Sequence, residues 1–281
     1  MSRPKIVFLD VDGTVIDYSQ KLPASARRAI DAARANGHRM ILCTGCCRGE
    51  LGHRELPEVD GLIGGNGAFA EYGGRLILDH RLSAEKQRAI VDWAEHRGLS
   101  YYMETNTAMF CNPAMLDQGR RQMTRLLCAS GMAEAAAAAM VDRFLGEYVP
   151  LQGAARYRND VYKIDYLLRS MDDFEDAKAA FPALEANTWG SGGPTQLFGD
   201  LGPAGVTKQN AIRVLLEYLQ VAPQDAIAFG DTRIDISMFA LCGTSVAMGS
   251  GDEACKAAAT FVTDGVNEDG LAHAFARLGL I

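Results

Sequence analysis

Ile6-Val7-Phe8-Leu9 is an unbroken apolar run that ends on Asp10-Val11-Asp12-Gly13-Thr14. A strand that is apolar at every position has no face to show to water. It belongs in the middle of a parallel sheet covered by helices on both sides. Sheets of that kind bind ligands just beyond the carboxyl ends of their strands. The run therefore predicts a doubly wound α/β core, and it brings two carboxylates, one residue apart, to the end where ligands sit. Two carboxylates in different surroundings suit two tasks in phosphoryl transfer, a nucleophile and a proton donor for the leaving group. An Asp-Gly turn with a spare acid is the plainer reading of the same residues.

The flanking pattern extends the core. Pro23 to Ala35 reads as a helix with proline in its first turn and Asn36-Gly37 as its stop. Leu62-Ile63 reads as a short strand, and 68–78, broken at Gly73-Gly74, as a hairpin. From Thr207 the alternation resumes with a helix over 207–220, a strand over 226–229, a helix over 234–241, a strand over 244–247, a helix over 252–259, a strand over 260–263 and a last helix after Glu268.

The intervening hundred or so residues differ in character. Helices are expected over 84–97, 113–130, 133–146 and 172–180, with strands within 101–111, over 161–168 and within 183–198. An α/β insertion in a parallel-sheet protein reads as a second domain. The expected division is a core of 1–82 and 199–281 with an inserted domain of 83–198, joined through linkers near Asp79–Ser83 and Phe198–Pro203. The alanine run 135–139 is plain helix, since alanine is the strongest helix former.

With 281 residues the chain is comfortable for two domains. A net charge of −7, with no block of lysine or arginine, argues against nucleic acid or an anionic membrane as the main partner. Seven cysteines without framework spacing suit a reducing compartment, and no leader-like or bilayer-length apolar stretch stands out, so a cytoplasmic location is expected.

Four segments in fixed order carry a resemblance: Asp10-Val11-Asp12-Gly13-Thr14, then Met40-Ile41-Leu42-Cys43-Thr44-Gly45, then Gly205-Val206-Thr207-Lys208, then Gly230-Asp231-Thr232-Arg233-Ile234-Asp235. In them the chain resembles the haloacid dehalogenase-like phosphatases. Gly65-Asn66-Gly67-Ala68, Ala247-Met248-Gly249 and Asn267-Glu268-Asp269-Gly270 are similar to the large-capped Cof-type branch, subfamily IIB. The resemblance spans nearly the whole chain and implies a Rossmann-like core with an inserted C2-type α/β cap.

It also implies roles. Asp10 would be the nucleophile and form an aspartyl-phosphate, and Asp12 would act as general acid and base. Mg²⁺ would be the cofactor, held by Asp10, by the backbone carbonyl of Asp12 and by Asp231. Thr44, Gly45 and Lys208 would bind the phosphoryl oxygens, Asp235 would support the metal from behind, and Asn66 would orient substrate or the Asp10 loop. Asp12 separates this chain from relatives with lysine there, or without the second aspartate, and points to a phosphatase or a phosphomutase. The expected substrate is a small soluble phosphorylated metabolite: a sugar phosphate, a phosphoglycerate-type compound or a phosphorylated cofactor.

Two positions depart from the family pattern. Cys46 stands where arginine often follows the Thr-Gly, and Ile234 stands where asparagine often precedes the last aspartate. The second predicts a missing polar contact near the phosphate or metal, which Arg48 or Arg233 could supply. These departures are the support for a non-catalytic, phospholigand-binding alternative. Cys43-Thr44-Gly45-Cys46 also matches a C-x-x-C pattern, but no redox-fold signature accompanies it; a narrower expectation is oxidant sensitivity at Cys46 or Cys47. In the insertion, Tyr102, Glu104, Asn106, Lys163, Asp165, Trp189, Ser191 and Gly192 are the candidates for substrate contact, with core aromatics and solvated charges as the structural reading of the same residues.

Overall fold

A computed structural model of the protein describes residues 4–52, 54–190 and 196–281. The chain divides into two compact units: 1–46, 53–79 and 206–281 form one, and 47–52 with 80–205 form the other.

The first unit is built on a sheet of β1 (Ile6–Leu9), β2 (Arg39–Cys43), β3 (Gly61–Gly64), β4 (Phe69–Tyr72) and β5 (Arg75–Asp79), completed after the insertion by β12 (Ala226–Gly230), β13 (Thr244–Ala247) and β14 (Phe261–Val262). Their order is β14-β13-β12-β1-β2-β3-β4-β5. All neighbours are parallel except β3–β4 and β4–β5, the hairpin that closes one edge through Gly73-Gly74. Every residue of β1 is buried, as its composition requires. Phe8 and Ile41 face one side, where they meet Ala211, Ile212, Leu215 and Leu216 of the helix Lys208–Leu219. Each such aliphatic side chain contributes about 1.5–3 kcal/mol on full burial. Val7, Leu9, Met40 and Leu42 are buried on the opposite side, which is covered by Ala24–Ala35 and Gly270–Arg277, two helices packed on one another.

Register matters more to function than the covering helices do. Leu9 pairs with Leu42 on one side and with Phe229 on the other. The residues that follow β1, β2 and β12 therefore emerge together at the carboxyl ends of three adjacent central strands, and these are Asp10, Thr44 and Asp231.

The second unit is a sheet of β6 (Tyr101–Thr105), β7 (Met109–Cys111), β8 (Val149–Pro150), β9 (Val161–Leu167), β10 (Leu184–Trp189) and β11 (Phe198–Pro203), ordered β10-β11-β9-β6-β7-β8. One face packs Tyr101, Met103, Ile164, Tyr166 and Leu201 against the helices Ala84–His96 and Met171–Ala180. The other packs Tyr102 and Phe198 against Arg120–Ala129 and Glu134–Leu145, the latter containing the alanine run.

Three local readings need correction. Phe198–Pro203 is not a linker but β11, hydrogen-bonded between β9 and β10 despite two glycines and a proline. Cys47–Gly52, expected within the core, groups with the inserted unit; a Cβ on Gly49 would strike the backbone of Thr105 and Ala108. The helix expected over 234–241 is a tight turn, Arg233–Asp235, followed by the single helical turn Ile236–Phe239. Ser191 and Gly192 lie outside the described residues.

Candidate active site

Asp10 leaves the end of β1 with its backbone N–H bonded to the Phe229 carbonyl at 3.0 Å. Its side chain is buried, and Lys208 Nζ donates to Asp10 Oδ1 at 2.6 Å and to Asp235 Oδ1 at 2.7 Å. Lys208 sits in the first turn of its helix, where a cation opposes the helix dipole. The two carboxylates explain its place there. Burial alone pulls the Lys208 ammonium down, but Asp10 and Asp235 more than reverse this and leave it above the ordinary lysine range. Burial pushes Asp10 well above the usual carboxylate range, against the opposing pull of Lys208.

Asp235 is fully committed. Its Oδ1 holds Lys208, and its Oδ2 accepts from the N–H groups of Asp231 and Thr232 at 3.1 and 3.0 Å and from the Thr232 hydroxyl at 3.2 Å.

Asp231 differs. Its Oδ2 accepts from the Tyr18 hydroxyl at 2.5 Å, while Oδ1 is buried without a hydrogen-bond partner among the described residues. A bare buried carboxylate oxygen is costly unless something positive belongs there. Burial raises the Asp231 carboxyl to about 6. Among the described residues, carboxylate oxygens of Asp10, Asp231 and Asp235 all lie within 4.8 Å of one another. The donor set is all oxygen, as Mg²⁺ prefers. Gly13 makes the arrangement possible: it has a φ of +87°, and any Cβ there would run into the Asp231 carboxylate.

Asp12 points to other partners. Arg54 Nη1 reaches its Oδ1 and Oδ2 at 2.8 and 2.7 Å, and Gln20 Nε2 donates to Oδ1 at 3.0 Å. Arg54 Nη2 also lies 3.4 Å from the Cys46 sulfur. Thr44 is buried at the end of β2, and its hydroxyl accepts the Cys46 N–H at 3.1 Å. Asn66 adopts a left-handed conformation, with φ of 55°, and its N–H bonds the Thr44 carbonyl at 3.1 Å. Its buried Oδ1 has no partner among the described residues, and a Cβ on Gly45 would lie 3.3 Å from it.

Asp10, Asp12, Thr44, Gly45, Asn66, Lys208, Asp231 and Asp235 thus all belong to the first unit. Sequence reasoning missed Tyr18, Gln20 and Arg54. The first two sit in a turn that Asp17 organises by accepting the N–H groups of Ser19 and Lys21, with Gln20 held at a φ of 65°. Ile234, suspected of removing a polar contact, is 58% exposed and points to solvent.

The inserted unit gathers most of its own candidates into one network. Lys163 Nζ lies 3.0 Å from Glu104, 3.3 Å from Asp165 and 3.6 Å from Asp200, and Trp189 Nε1 donates to Asp165 at 2.8 Å. Burial raises Glu104 and Asp165 despite the neighbouring ammonium. Asn106 bonds the Tyr162 hydroxyl and accepts the Arg48 N–H, fastening 47–52 to this unit. Tyr102 is a core aromatic, packed edge-on against Phe144, Tyr148 and Phe198.

Comparison with known proteins bears directly on this arrangement. The family model for haloacid dehalogenase-like hydrolases matches residues 7–275, a span that takes in all four motifs. The chain belongs to that family. It is 27% identical to YkrA of Bacillus subtilis (strain 168) over 99% of this chain and 98% of the relative. It is 25% identical to Phosphatase YwpJ of the same organism, over 98% and 99%. A hypothetical protein from Geobacillus kaustophilus HTA426 has the same fold, with a TM-score of 0.81 at 26% identity over 99% of this hydrolase and all of that chain. No helix among the described residues of the hydrolase is long and apolar enough to cross a membrane.

Proposed function

We propose that this hydrolase is a Mg²⁺-dependent phosphomonoesterase that cleaves a small phosphorylated metabolite through an aspartyl-phosphate on Asp10. The observation that carries the reading is the pairing of a lysine-held Asp10 with a buried Asp231 oxygen that lacks any partner among the described residues. Its closeness to Asp10 and Asp235 distinguishes this bare oxygen from others in the protein and supports a cation there.

Asp10 and Asp231, with the backbone carbonyl of Asp12, would hold Mg²⁺. The bound ion supplies positive charge that screens the phosphoryl oxygens from the attacking carboxylate. The protein's own groups do the rest. Lys208 holds Asp10 by one oxygen, so the carboxylate meets phosphorus in a fixed orientation. The Thr44 hydroxyl and the Gly45 N–H stabilise charge on the transferring group. Asp12 gives its proton to the departing oxygen as the phosphorus–oxygen bond breaks, then takes one from the water that hydrolyses the intermediate. In the inserted unit, the polar network around Lys163 is the proposed source of contacts to the leaving group. Sugar phosphates, phosphoglycerate-type compounds and phosphorylated cofactors fit the reading equally.

The test is phosphate release from a broad panel of phosphometabolites, with and without Mg²⁺, for the wild type and Asp10→Asn. Metal-dependent release by the wild type alone supports the nucleophile, and the preferred compound names the substrate. Turnover retained by Asp10→Asn, or no release at all from folded protein, refutes the reading.

A further inference from the structure

Arg54 is an arginine with only 14% of its side chain exposed, and it belongs to none of the four motifs. An ion pair near the surface yields about 0–1 kcal/mol, so stability alone is a poor reason for burying one here. Its geometry offers a better reason. Nη1 lies between both oxygens of Asp12, at 2.8 and 2.7 Å, and Gln20 adds a third N–H contact at 3.0 Å. The guanidinium is itself braced against the Cys46 sulfur at 3.4 Å. A carboxyl group offers roughly four acceptor positions. Three are taken by nitrogen donors, which fixes the plane of the group, and the fourth meets only the Cys46 thiol, a weak donor 3.9 Å from Oδ2 that a stronger partner can displace.

We infer that Arg54 is a positioning residue for Asp12, holding the carboxyl group so that the oxygen position met only by the Cys46 thiol faces the leaving group and then the attacking water. The inference rests on the phosphatase reading above. The step itself is balanced in the protein's own groups: the Asp10 oxygen–phosphorus bond forms, the ester oxygen–phosphorus bond breaks, and the proton on Asp12 passes to the released oxygen. Proton transfer of this kind needs donor and acceptor about 2.6–3.2 Å apart. Misplacement by about 1 Å costs on the order of a hundredfold. Cys46, at the position after Thr44-Gly45, leaves the space and the weak sulfur acceptor that the guanidinium occupies.

A residue acting through the proton donor leaves a signature that a structural residue does not. Phenyl phosphate needs its leaving oxygen protonated, whereas p-nitrophenyl phosphate releases a stable anion without help. Arg54→Met is expected to lower kcat on phenyl phosphate by about tenfold to a hundredfold and on p-nitrophenyl phosphate by less than about threefold, with KM little changed. Arg54→Lys is expected to recover only part of the loss, since one ammonium cannot hold Asp12 and also brace on the Cys46 sulfur as Nη1 and Nη2 do together. In an Asp12→Asn background the Arg54→Met change is expected to cost almost nothing further. Far-UV circular dichroism of each variant, superimposable on the wild type, accompanies the kinetics. Equal losses on both esters overturn the inference, and so does a raised KM with unchanged kcat, which would make Arg54 a phosphate ligand. A folded wild type inert towards both esters with Mg²⁺ present overturns the phosphatase reading itself, and this inference with it.

Discussion

Asp231→Asn should make the metal-free protein more stable, and only at neutral pH. Burial raises the Asp231 carboxyl from 3.8 to about 6 in the folded protein. Each tenfold change in proton affinity is worth about 1.4 kcal/mol, so ionised Asp231 costs the fold roughly 3 kcal/mol. The sign follows from the direction of the rise. The folded protein holds this proton more tightly than the unfolded chain does. The resulting stabilisation is complete below about pH 4 and is lost as pH climbs through about 6. Asparagine mimics the protonated acid at every pH and can still accept from Tyr18. Urea denaturation in EDTA, followed by far-UV circular dichroism, should find the variant about 3 kcal/mol more stable than wild type near pH 7.5, and less than about 1 kcal/mol more stable near pH 4. Saturating Mg²⁺ should narrow the gap at neutral pH by stabilising the wild type alone. A variant no more stable than wild type at neutral pH, or equally stabilised at both, would refute the reasoning that this oxygen is buried to receive a cation.

Three further outcomes are expected. Lys208→Met leaves two buried carboxylates without their ammonium and should cost about 3–5 kcal/mol by the same denaturation assay, less at low pH. Gly13→Ala would press a methyl group into the Asp231 carboxylate from a left-handed backbone, so calorimetric titration should show Mg²⁺ affinity falling by about tenfold or more. Tyr18→Phe removes the hydroxyl that competes for Asp231, and the same titration should show Mg²⁺ binding a few-fold tighter, roughly the worth of one hydrogen bond to a charged group.

The parts of the site that were legible in the sequence are those that a strand or helix end positions unaided. Asp10, Thr44 and Asp231 follow apolar strands, and parallel register alone brings them together. Lys208 could be read from its awkward place in a helical first turn. Tyr18 and Gln20 could not, because their places depend on an irregular turn and on a left-handed Gln20, which leave no periodic trace; Arg54 could not, because it lies in irregular chain between a short helix and β3. The misreading of 198–203 has a similar cause. Glycine and proline suggest a linker, yet between β9 and β10 the backbone bonds of β11 are made by its neighbours, whatever its own preference. Ile234 is a case that sequence and structure describe differently. The sequence marks it as a departure from a family pattern, and the structure adds that its side chain faces water.

The grouping of 47–52 with the inserted unit has a consequence for anyone cutting this chain apart. A deletion splicing 79 to 206 would not yield the first unit alone. It would strand the Arg48–Leu51 turn, whose Gly49 was shaped to lie flat on Thr105 and Ala108. Nor would 80–205 expressed alone be whole, for it would lack the strip whose backbone Asn106 accepts. Dissection of this hydrolase therefore calls for two excisions rather than one, with 47–52 either replaced by a neutral loop or supplied to the isolated insert as a separate peptide.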